Sequence, residues 1–139
     1  MALSEQEIAR IKQSFDDLEP NLEPTSVHFY EELFVRAPHM RSLFREDLKG
    51  QGMRFMNTLG LILDNMVDPD TVPVNYEELG RMHRVLGIKR GDFAPMEDAL
   101  IASLAFKLGD GFDGELETLW RAAYRDFSAR LVAEGDIPD

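Results

Sequence analysis

The stretch EELGRMHRVLGIK, Glu77 to Lys89, sets one histidine inside an otherwise ordinary amphipathic segment. Leu79, Met82, Leu86 and Ile88 read as its buried side. His83 lies four residues after Leu79 and three before Leu86, so on a helix it shares their face. An imidazole aimed at its own core is either a satisfied core residue, the commoner case, or a ligand.

The segments around it carry the same helical periodicity. Asn75 caps the His83 helix and Gly87 ends it. Upstream, SEQEIARIKQSFDDLEP opens with Ser4 and Glu7 in a capping-box pattern, followed by Ile8, Ile11, Phe15 and Leu18. A second helix is expected from Thr25 to Ala37, with Val27, Tyr30, Leu33 and Phe34 on its apolar face. Pro38 suits the first turn of a short third helix, PHMRSLF. REDLKGQG reads as a loop or frayed turn. Met53 to Met66 is strongly helical, with Phe55, Met56, Leu59, Ile62, Leu63 and Met66 at three- and four-residue spacing. Helices are expected again over Phe93–Leu108, with Met96, Leu100, Leu104 and Leu108 on one stripe, and over Glu115–Ala133. A glycine-rich turn, GDGFDG, separates these last two. No segment alternates at period two, so the class is all-α, with six to eight helices in a single domain spanning residues 1–139.

Composition narrows the function. The 139 residues are 44% hydrophobic, as in ordinary globular proteins, and include no cysteine. Disulfides, thiolate metal sites, iron–sulfur ligation and cysteine nucleophiles are thereby excluded. Against 26 Asp and Glu stand 15 Lys and Arg, a net charge of −11, which disfavours nucleic acid and anionic membranes as partners. The N-terminus lacks the apolar core of a signal peptide, and no run approaches the ~18 apolar residues of a membrane span. A cytoplasmic location is the expectation. His28, His39 and His83 are too dispersed for a conventional zinc site, and no nucleophile elbow or phosphate-binding loop is present. One group needs only a single strong protein donor: haem iron, held by a proximal histidine.

In order and spacing, FYEELFVRAPHMRSLF (Phe29–Phe44), QGMRFMNTLGLILDNM (Gln51–Met66), LGRMHRVLGIKRGDF (Leu79–Phe93) and LWRAAYRDFSARLVAE (Leu119–Glu134) resemble the globin family. The likeness is to bacterial single-domain haemoglobins related to the globin part of flavohaemoglobins. It covers nearly the whole chain. The resemblance implies a three-on-three helical sandwich around haem b, iron protoporphyrin IX. On it, His83 is the proximal ligand to a pentacoordinate iron, its other ring nitrogen donating to a backbone carbonyl or a carboxylate. Phe44 wedges against the porphyrin. Tyr30 points into the distal pocket, where its hydroxyl can hydrogen-bond a ligand, and Gln51 stands at the start of the distal helix. Phe55 falls where a smaller aliphatic is common, and would shrink the ligand cavity or push Tyr30 and Gln51 aside. Leu59, Met82, Ile88, Phe93, Met96 and Leu100 are expected against the haem. Arg54, Arg84 and Arg81 are the cations for its propionates. Met53, Met56 and Tyr30 are the alternatives for a sixth ligand. Trp120 and Tyr124 read as packing. The tyrosine that supports the proximal histidine in flavohaemoglobins is replaced here by Phe93; Glu134 stands near the place of the supporting glutamate.

The implied function is reversible binding of O2, with NO and CO as other ligands, by a monomer or homodimer. The chain ends at Asp139, so no flavin or nicotinamide domain is expected. NO dioxygenation with a separate reductase, and a haem-free sensor module, are the alternatives.

Overall fold

A computed structural model describes residues 3–19, 21–44 and 48–139. Its α-helices are α1 (Glu5–Asp16), α2 (Glu23–Arg36), α3 (Leu48–Val67), α4 (Tyr76–Leu86), α5 (Phe93–Leu108) and α6 (Gly114–Gly135), with 3₁₀ turns at Pro38–Leu43, Arg90–Asp92 and Gly109–Gly111. Among the described residues there is no strand.

Local chemistry sets most of these limits. The Ser4 hydroxyl accepts from the Glu7 amide while the Glu7 carboxylate accepts from the Ser4 amide, closing the expected capping box on α1. Asn75 Oδ1 accepts from the Glu78 amide at 3.0 Å, and Gly87 ends α4 at φ 93°, in the left-handed region. Helix α5 has the expected bounds.

Two expectations need correction. Helix α2 buries Phe29, Tyr30 and Leu33, whereas Val27 is exposed. REDLKGQG is not a loop throughout: Arg45–Asp47 lie outside the described residues, but from Leu48 the chain is already helical. Gly52 there serves close packing. A Cβ on Gly52 would stand 3.0 Å from the Ser26 Oγ and 3.1 Å from the Tyr30 ring, so glycine lets α3 cross α2 closely.

Helix α2 packs on α3 and α5, α3 also meets α1, and α4 lies along α6. The α4–α6 crossing is backbone on backbone. A Cβ on Gly80 would stand 2.7 Å from the Gly135 Cα and would also strike the Leu131 carbonyl; one on Gly135 would stand 2.9 Å from the Arg81 amide. Polar groups fix the remaining contacts. Trp120 Nε1 donates to the Ser14 hydroxyl at 2.8 Å, joining α6 to α1. The buried Glu97 carboxylate on α5 accepts from Arg121 Nη1 at 2.6 Å and Arg125 Nε at 3.1 Å on α6. A buried carboxylate needs such partners, because an isolated ion is strongly disfavoured there.

Candidate functional site

Helix α4 is held at Gly80 against Gly135, which fixes where its next residues point. One turn on, His83 Nδ1 lies 2.8 Å from the Leu79 carbonyl oxygen. A carbonyl only accepts, so Nδ1 is the donor there, and in the neutral ring Nε2 keeps the lone pair. The Phe93 ring stacks against the imidazole at 6.1 Å between centroids. Phe93 is held in turn by its own carbonyl, which accepts from the buried Tyr124 hydroxyl at 3.1 Å. Burial pushes the Tyr124 hydroxyl pKa far up, and Glu97 adds to it, so the phenol stays a donor.

His83 lines a cavity of about 480 Å³, within the range of cofactor-sized sites. One wall comes from Leu79, Met82, His83 and Leu86 of α4, with Ile88, Phe93 and Met96 following; the facing wall comes from Phe29 and Tyr30 of α2, Phe44, and Gln51, Arg54, Phe55, Asn57, Thr58, Leu59 and Ile62 of α3. Tyr124, Phe127 and Leu131 of α6 complete it.

The facing wall has its own polar pair. The Tyr30 ring meets Phe44 edge-on at 5.1 Å and Phe29 at 5.3 Å. Burial pushes the Tyr30 hydroxyl up to about 12, with the Arg54 charge opposing, so it stays protonated and can donate. Among the described residues it has no hydrogen-bond partner. Gln51 Oε1 is buried and also without a partner. Phe55 does not push Tyr30 and Gln51 aside: its ring lies flat on Phe29 at 4.5 Å, and both polar residues still line the cavity.

Of the residues singled out from sequence, Tyr30, Phe44, Gln51, Arg54, Phe55, Leu59, Met82, His83, Ile88, Phe93 and Met96 come together here. Leu100 is fully buried in the core beyond this wall, and Arg84 and Arg81 stand exposed on the outside of α4. Met82 and Leu86, read as buried, are exposed at the cavity's rim. Met56 is sealed in the core and Met53 does not line the cavity, which leaves Tyr30 as the only one of the three sixth-ligand alternatives there. His28 stacks on Phe106 at 4.3 Å and His39 pairs with Asp92 at 2.8 Å, both away from the cavity. Glu134 pairs with Arg130 at 3.9 Å and has no contact with His83 among the described residues. Tyr124, read as packing, lines the cavity as well as bracing Phe93. Phe127 and Leu131 were not singled out as lining residues, although Tyr124, Phe127 and Leu131 repeat at helical spacing and mark that stripe of α6.

An all-α chain with one cavity-lining histidine, its Nε2 turned away from the backbone contact and its walls mostly apolar, has the build of a protein that carries a flat prosthetic group. The globin family model matches residues 27–131, and the chain belongs to the globin family. It is 25% identical over 133 residues to the flavohemoprotein of Bordetella pertussis, covering 94% of this chain and 33% of that protein. The chain thus spans about a third of that relative's length. It is 24% identical over 140 residues to the leghemoglobin of Psophocarpus tetragonolobus, covering 92% of this chain and 94% of that one. A crystal structure of a hexacoordinated heme protein from an anhydrobiotic tardigrade superposes with a TM-score of 0.84 at 18% identity, over 96% of both chains. The fold is therefore the globin fold. No helix of the described residues is long and apolar enough to cross a membrane.

Proposed function

We propose that this globin holds haem b in the cavity through His83 and binds diatomic ligands there reversibly, O2 first, with NO and CO as further ligands. The observation that carries the reading is the 2.8 Å contact of His83 Nδ1 with the Leu79 carbonyl oxygen, which leaves Nε2 as the nitrogen to bind iron. The remaining residues fit the group. Leu59, Ile88, Phe93 and Met96 offer apolar walls, Phe44 borders the cavity beside Tyr30, and Arg54 is the cation among the lining residues for a propionate. Bound there, haem supplies an iron centre that takes up a diatomic gas.

This chain's own part is to orient and to shield. Phe93 and the Tyr124 hydroxyl limit rotation of the imidazole. Tyr30 donates a hydrogen bond to a partly negative ligand facing it, and the Gln51 amide nitrogen is a second donor on that wall. In an apolar cavity such a bond is stronger than in water. Slow O2 release is the consequence, with a pentacoordinate resting site.

An absorption spectrum of the purified protein, ferric and dithionite-reduced, with and without CO, tests this beside His83→Ala. A Soret band that shifts with CO, and whose haem affinity falls at least ~100-fold in the variant, is the expected result, since losing even a supporting partner of a ligand costs 10–100-fold. A protein that stays colourless after haem addition overturns the reading and favours a haem-free module.

A further inference from the structure

Residues 81–90, RMHRVLGIKR, carry four cations and no carboxylate in a chain of net charge −11. Arg90 is engaged by Asp139 at 3.3 Å. Arg81, Arg84 and Lys89 are exposed and have no ion-pair partner among the described residues. Between them Val85 is 79% exposed, Met82 57% and Leu86 48%. Met82 and Leu86 form the rim of the cavity. The cavity thus opens beside a cationic surface set with apolar side chains, on a molecule that is otherwise acidic. Arginine and methionine are enriched at the centres of protein interfaces.

We propose that the outer face of Arg81–Arg90 docks an acidic protein: a partner presenting a carboxylate cluster around an apolar side chain. Opposite charge steers such a partner toward this face, because the chain as a whole is acidic. Val85 and the rim residues give the partner's apolar side chain a place to lose water. An anionic bilayer would meet the acidic remainder of the surface over a wider area.

The proposal takes from the function above only the position of the cavity's mouth. The test is an amide-shift titration of the purified isotope-labelled protein with a short poly-glutamate peptide bearing one central leucine. Shifts are expected at residues 81–90. Affinity is expected to fall roughly tenfold in Arg81→Glu/Arg84→Glu, and again when salt is raised from about 50 to about 200 mM. Val85→Ser should weaken binding while leaving its salt dependence. Shifts confined to other residues, or equal affinity in the double variant, overturn the proposal. So does a wild-type dimer by sedimentation that the double variant abolishes, which assigns the face to a second copy. Binding to phosphatidylglycerol vesicles that the double variant abolishes assigns it to a membrane. The absorption spectrum of the same sample keeps the two readings apart. Peptide binding without a Soret band removes haem and leaves the docking face; a Soret band without peptide binding does the reverse.

Discussion

The α4–α5 wall of the cavity and the α2–α3 wall face each other with opposite polar bookkeeping. On the first, His83 Nδ1 is committed to Leu79 and the Tyr124 hydroxyl to Phe93. Asp92, just before Phe93, accepts from His39 and from the Lys89 amide. On the second, Gln51 Oε1 is buried with no partner, and Tyr30, which lines the cavity, has no hydrogen-bond partner for its hydroxyl among the described residues. An unsatisfied buried acceptor destabilises by roughly 1–3 kcal/mol. One wall is locked by its own hydrogen bonds; the other keeps polar groups in reserve for something that enters. A site that must hold one partner permanently and exchange another needs this difference.

The comparison can be broken most severely at the locked wall. Gly80→Ala places a methyl against the Gly135 and Leu131 backbone, which cannot retreat as a flexible side chain would. The expected loss is about 3 kcal/mol or more in urea unfolding, at the upper end for overpacking. A loss under about 1 kcal/mol would mean that α4 is free to lift. At the receptive wall the effects are smaller. Tyr30→Phe should raise the O2 dissociation rate about tenfold, the worth of one hydrogen bond near 1.4 kcal/mol. An unchanged off-rate in stopped flow removes Tyr30 from that role. Gln51→Leu sharpens the contrast from the other side. With the orphaned oxygen gone, unfolding free energy should rise by about 1 kcal/mol. A fall instead would show that the amide is already satisfied in solution.

The sequence made the locked wall legible because its signals are local. Asn75, Gly87 and the Leu79–His83 spacing define one short helix, and i, i+4 geometry alone puts the Leu79 carbonyl within reach of the imidazole. Helix α5 was equally plain. Gly50 and Gly52 misled, since glycine usually marks a break, and only the distance from Gly52 to Ser26 and Tyr30 explains its place inside α3. Arg84 and Met82 misled for a different reason. Sequence spacing gives a helix face but not where along that face the neighbouring helix ends. Leu100 lies on the right stripe of α5, one turn too far along to reach the cavity. Phe55 reads as an obstruction from its size alone, while its actual position depends on the Phe29 ring beneath it.

The crossing of Gly80 on Gly135 also works as a lever. With no side chains between the two backbones, α4 has a fulcrum near its middle. At 1.5 Å of rise per residue, His83 sits about 4.5 Å along the arm and Leu86 about 9 Å. Any tilt about that point moves the rim at Leu86 roughly twice as far as it moves the imidazole. A tilt that opens the mouth of the cavity therefore carries His83 only half as far as the rim.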